Sequence, residues 1–82
     1  MLKLKIISPE KVEFEGTTTI VTVPGTSGRF QILHDHAPLI SSLEKGVVEY
    51  ESKGTRHQLV ILGGFVEVQK NEVSLCVEVK EL

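Results

Sequence analysis

Three histidines, one cysteine and a scatter of carboxylates are the side chains of this 82-residue sequence with chemistry to offer. His34 and His36 form an H-x-H pair, and on a strand that spacing sets both imidazoles on one face, the usual start of a zinc site. Such a site needs three or four ligands. Asp35, His57 and Cys76 are the candidates to complete it, nothing in their spacing brings them together, and polar loop histidines with no metal are the expectation. No serine lies in a G-x-S-x-G elbow or beside an evident base. Glu49, Glu51, Glu67 and Glu78 alternate with apolar residues, as the wet faces of strands do. Gly25 and Gly28 lack the G-K-[ST] and following helix of a phosphate loop, so they mark a turn. Cys76 is alone, excludes an internal disulfide and reads as a small, partly buried residue, which suits a reducing compartment. These residues argue against an enzyme and against a cofactor.

The segment Val23 to Ile40 looks built for presentation. Pro24-Gly25 reads as a turn that Thr26, Ser27 and Gly28 extend into a loop. Phe30, Ile32 and Leu33 offer apolar surface to anchor that loop, and His34-Asp35-His36 leads into Ala37-Pro38, where proline favours an extended predecessor. A polar loop on a rigid base is a common form of binding site.

The flanking elements are strands. Leu2, Leu4 and Ile6 alternate with Lys3 and Lys5, a period of two that predicts a strand with one wet face, ended by Pro9. Val12 and Phe14 repeat the alternation up to Gly16, and Thr17 to Val23 is a β-branched run. Leu39 to Leu43 fits a strand or a turn of helix equally well. Val47 to Glu51 and Thr55 to Leu62 are joined by Ser52-Lys53-Gly54 in a predicted hairpin. Leu59 to Leu62 is wholly apolar, as in a strand covered on both faces. Gly63-Gly64 predicts a bend or bulge, Phe65 to Val68 the next arm, Lys70-Asn71 a tight turn, and Val73, Leu75, Val77 and Val79 a final strand with one apolar face. No ten-residue stretch has helical period. Close-spaced short strands without crossover helices predict an all-β antiparallel sandwich or flattened barrel of about ten strands, in a single domain over residues 1–82.

Nine basic and eleven acidic residues, for a net charge of -2, form no basic stripe that could track a phosphate backbone, so no nucleic acid is expected as partner. No apolar run approaches the roughly 20 residues that span a bilayer, and Met1 to Lys5 lacks the apolar core of a signal peptide. A soluble chain without membrane insertion is the expectation.

Within this frame, Pro24, Gly25, Gly28, Phe30, Ile32, Leu33, His36, Ala37, Pro38 and Leu39 match a run of roughly V-P-G-x-x-G-x-F-G-I-L-P-x-H-A-P-L. The chain thereby resembles the epsilon subunit of F-type ATP synthases, called delta in mitochondria. Ile7-Ser8-Pro9-Glu10, Val12, Phe14, Leu43, Gly46 and Gly63 to Val68 extend the resemblance over essentially all 82 residues. Gln31, His34 and Asp35 depart from the usual glycine, proline and glycine or asparagine.

The resemblance implies a β-sandwich without the carboxy-terminal helical hairpin that family members commonly add, and so no inhibition of ATP hydrolysis through such helices. It implies a non-catalytic rotor subunit of the central stalk. The subunit would link the gamma subunit to the c-ring and couple proton or sodium translocation to ATP synthesis, peripherally at the cytoplasmic face of a bacterial plasma membrane. Carried over by position, the c-ring contact comprises Ser27, Gly28, Arg29, Phe30 and His36; the gamma contact comprises Ser8, Pro9, Ala37, Leu39, Ile40 and Ser41. Arg29 stands where relatives often carry an acidic residue, which implies a compensating change in the c subunit. The alternatives are a free-standing β-sandwich adaptor and a lipoyl- or biotinyl-type carrier, the latter disfavoured because Lys53 lacks the expected flanking residues.

Overall fold

The alternation of Leu2, Leu4 and Ile6 with two lysines becomes a strand whose apolar side is fully buried while Lys3 and Lys5 remain in water. The same rule builds the rest of the chain. A computed structural model describes residues 1–80, and their regular structure is β1 (Leu2–Ile7), β2 (Val12–Thr18), β3 (Val21–Gly25), β4 (Gly28–Ile32), β5 (Leu39–Leu43), β6 (Gly46–Ser52), β7 (Thr55–Gln69) and β8 (Glu72–Val79). The expected end of the sandwich at Leu82 lies outside the described residues.

The strands form one sheet folded into two layers, in the order β2-β1-β8-β7-β5-β3-β4, with β6 pairing β3 and β7. Strand β7 belongs to both layers: Thr55 to Ile61 pairs with β6, and Gly63 to Gln69 runs between β8 and β5. Leu2, Leu4, Ile6, Val66, Val73 and Leu75 of one layer pack on Val21, Val23, Ile32, Val48 and Ile61 of the other, all essentially without solvent contact. Burying this set is the main stabilising term for so small a domain.

The crossing of β7 between layers requires its glycines. The register with β8 shifts between Ile61 and Gly63, a bulge of the kind the Gly63-Gly64 pair predicts. Gly64 has φ 147°, and a Cβ there would fall inside contact distance of the Cys76 carbonyl and the Val77 backbone. The two neighbouring hairpins close as expected: Lys53 and Gly54 (φ 52° and 76°) and Lys70 and Asn71 (φ 52° and 61°) both have the paired positive φ of type I′ turns.

Several expectations change. Among the described residues there are eight strands instead of about ten; part of the difference is β7, which runs unbroken for 15 residues and counts once where two arms were expected. Gly16 does not end β2, which continues to Thr18; the aromatic ring of Phe14 lies over Gly16, where a Cβ would meet it at 3.0 Å. The turn instead falls after Thr18, whose hydroxyl donates to the Ile20 carbonyl at 3.0 Å and accepts the Glu51 N–H at 3.2 Å. Pro24 and Gly25 finish β3, and the turn itself is Thr26-Ser27. Gly25 serves close approach, since a Cβ there would meet the Gly28 carbonyl at 2.7 Å and the Phe30 ring at 2.8 Å. Leu39 to Leu43 is strand. β1 and β8 pair in parallel, from Lys3 opposite Glu72 to Ile7 opposite Cys76, a pairing that the intervening strands make possible by carrying the chain around the sandwich. Leu59 to Leu62 is covered on one side only: Ile61 is buried, while Val60 and Leu62 are 42% and 45% exposed.

Candidate interaction surfaces

The β3–β4 hairpin carries the first group of expected contact residues. Ser27, Gly28 and Arg29 are exposed at its tip, which is pinned at its base by the Thr26 N–H donating to the Ser42 carbonyl at 3.1 Å. Phe30 points the other way, half-buried against the core. Arg29 folds back over its own sheet, donating to the Val47 carbonyl and pairing with the Glu49 carboxylate at 3.3 Å. Gln58 donates to the same carboxylate at 2.6 Å. That hydrogen bond first, and the Arg29 guanidinium with it, hold the Glu49 carboxyl below its ordinary range. Arg29, predicted to meet a partner, thus has an anionic partner within its own chain.

His36 is remote from that tip. Gly25 lies opposite Leu43, so the tip stands beside the far end of β5. His36 precedes β5, in the segment Leu33 to Pro38, and five residues of strand at about 3.4 Å each separate the two ends. His34 and His36 do not share a strand face. They flank Asp35, which has φ 64°, and among the described residues no three metal-ligating side chains converge.

The second expected group is also divided. Ser8 is buried, its hydroxyl donating to Glu13 at 2.9 Å and accepting the Lys11 N–H at 3.3 Å, so it shapes the β1–β2 turn. Pro9 is exposed beside it. Ala37 is exposed at the opposite end, Leu39 and Ser41 face inward and are half-buried, and Ile40 is 73% exposed. The structure joins Ser8 and Pro9 to a groove of about 610 Å³ with Leu62, Gly63, Phe65 and Cys76. Phe65, 50% exposed, lies opposite Ser42 on β5, one step along the same outer face from Ile40. Pro9, Leu62 and Phe65 thus line one groove on the β1–β8–β7–β5 layer, and Ile40 projects from the same outer face opposite Glu67; exposed apolar side chains so grouped are of the sort that marks a protein contact. The outward turn of Leu62 was hidden because an unbroken apolar run does not show which side is covered, and that of Phe65 because the bulge at Gly63 resets which side faces the core. Asn71, which binds the loop bearing His36, had no signal beyond its place in a turn.

The larger cleft, about 870 Å³, opens between β2 and the β6–β7 hairpin and is lined by Phe14, Thr17, Thr19, Lys53 and His57. Along it Tyr50 lies between Phe14, whose ring is tilted by 44° with centroids 4.5 Å apart, and His57, whose ring stacks on it at 5.3 Å. Burial, and to a lesser degree the nearby Glu13 carboxylate, push the Tyr50 hydroxyl above its ordinary range. These three side chains join β2 to the β6–β7 hairpin, and none is a nucleophile paired with a base.

A β-sandwich whose strand pairs are antiparallel except for β1–β8, with a pinned hairpin tip and exposed apolar residues on one outer face, is the class of domain these observations define. The chain belongs to the family described as ATP synthase, Delta/Epsilon chain, beta-sandwich domain, which matches residues 1–82. It is 41% identical over 81 residues to the ATP synthase epsilon chain of Gloeobacter violaceus, covering 99% of this chain and 61% of that one. It is 40% identical over 74 residues to that of Leptospira interrogans, covering 90% and 58%. The chain thus spans about three fifths of the length of these curated relatives. Its fold is that of a chain in the Euglena gracilis mitochondrial ATP synthase structure of OSCP, F1 and c-ring (TM-score 0.86, 23% identity, 93% of this chain and 49% of that one). A chain of the Tetrahymena thermophila mitochondrial ATP synthase central stalk and c-ring shares it as well (TM-score 0.78, 19% identity, 94% and 63%).

Proposed function

We propose that this domain is a non-catalytic part of the rotor's central stalk, joining the gamma subunit to the c-ring and carrying torque between ion translocation and ATP synthesis. The observation that carries the reading is the family match over the whole sandwich. A stiff body whose two layers share one core is what torque transmission requires. The hairpin tip Ser27–Arg29 is assigned to the polar loops of the c-ring. Pro9 and Ile40, extended by Leu62 and Phe65, are assigned to gamma, with Ala37 at the end of that surface. His36 goes with Ala37 because it lies far from the tip. Ser8, Leu39 and Ser41 support this surface from beneath, as Phe30 supports the tip. The domain works peripherally to the membrane, at the cytoplasmic face of a bacterial plasma membrane.

Sedimentation of the domain with the gamma subunit of the same organism tests the reading. A one-to-one complex, burying about 800 Å² per partner, is expected for the parent protein and should be weakened by Ile40→Glu or Phe65→Ser. Absence of a complex at tens of micromolar, with the c-ring also supplied, would overturn the assignment in favour of an adaptor with another partner.

A further inference from the structure

The segment Leu33 to Pro38 leaves β4 and enters β5 without joining the ladder. Its one internal backbone bond runs from the His36 N–H to the Leu33 carbonyl at 3.1 Å. Among the described residues, every hydrogen bond it makes to another element goes to a single residue, Asn71 of the β7–β8 turn. The Asp35 N–H donates to Asn71 Oδ1 at 2.6 Å. This fixes the amide's orientation, since only its oxygen accepts. Asn71 Nδ2 then faces Asp35 Oδ1 at 3.2 Å and His34 Nε2 at 3.3 Å. Nε2 must accept, so the imidazole proton sits on Nδ1, which lies 3.3 Å from Asp35 Oδ2. The Asn71 carbonyl in turn takes the Lys3 N–H at 2.9 Å, fastening the arrangement to β1.

We propose that Asn71 is a positioning residue: its side chain holds the His34–Ala37 segment in the conformation that meets the stalk partner. This rests on the gamma-contact reading of Ala37 and His36. Asp35 and Asn71 both occupy left-handed backbone conformations, which cost asparagine and aspartate less than most residues. A segment with no ladder bonds would otherwise sample many conformers, and each one frozen on binding would weaken association. The clamp freezes them beforehand.

Asn71→Gly separates positioning from folding, because glycine suits the positive φ of the turn at least as well while removing the clamp. The variant should keep the thermal midpoint and β7–β8 pairing of the parent. Exchange of the Asp35 amide should accelerate about tenfold, and affinity for the gamma subunit should fall about three- to tenfold. Nitrogen NMR should show the His34 proton on Nδ1 in the parent and its shift toward Nε2 in the variant. Unchanged exchange at Asp35, or faster exchange with unchanged affinity, overturns the proposal and leaves the stalk reading standing. Failure of the parent protein itself to bind gamma with the c-ring also supplied overturns the stalk reading, and the proposal with it.

Discussion

The guanidinium of Arg29 lies 3.3 Å from the carboxylate of Glu49, twenty residues along the chain and on a different strand of the same layer. The hairpin tip assigned to the c-ring therefore presents a cation already shared with its own sheet. Both groups remain partly exposed, so salt screens the pair.

Reversing Arg29 to Glu should place two carboxylates together, loosen the tip and speed amide exchange at Thr26 and Gly28. Adding Glu49→Arg in the same chain should restore slow exchange, the pair having been rebuilt with its polarity exchanged. Association of the double variant with the c-ring, compared with the parent, would then report the sign of charge which that ring prefers.

The shifted carboxyl and phenol each make a small contribution to the pH dependence of stability. Glu49 titrates lower in the fold than its ordinary 4.5, so its contribution is complete above that value and is lost as pH falls through the lowered one. Tyr50 titrates above its ordinary 10.0, so its contribution holds below 10.0 and is lost as pH rises beyond it. Urea midpoints should fall less steeply on the acid side in Gln58→Leu, and less steeply on the alkaline side in Tyr50→Phe, than in the parent.

Gly64→Ala should cost about 3 kcal/mol or more, because both the backbone conformation and the space beside Cys76 and Val77 exclude a side chain. Gly28→Ala, also at positive φ but with open space around the added methyl, should cost only about 1 kcal/mol. Thermal unfolding of the two variants makes the comparison.

Thr18→Val should lower stability by about 1–3 kcal/mol, since it leaves the Glu51 and Ile20 N–H groups without their acceptor at a buried corner. Thr18→Ser should recover most of that loss. Equal midpoints for the two variants would show that the hydroxyl contributes nothing there.

Much of the architecture was legible because it is local. Strand β1 follows from Leu2, Leu4 and Ile6, the β6–β7 hairpin from the short Ser52-Lys53-Gly54 connection, and the β7 bulge from the Gly63-Gly64 pair, for the side-chain period and the permitted φ are properties of neighbouring residues. The family resemblance, too, needed only residues in register. The hairpin tip was legible to within two residues, displaced because Gly25 makes room for a carbonyl and an aromatic ring instead of turning the chain.

What the chain alone determined was therefore its class, its strands and the segments it presents. Tertiary structure decided which presented residues share a surface. It set His36 at the far end from Arg29, turned Leu62 and Phe65 outward, and brought Asn71 to Asp35 and Glu49 to Arg29. Each of those outcomes depends on contacts between segments 18 or more residues apart, or on which side of an all-apolar strand a second layer covers. Local pattern carries no information on either, because a strand's two faces are equivalent until another strand packs on one of them.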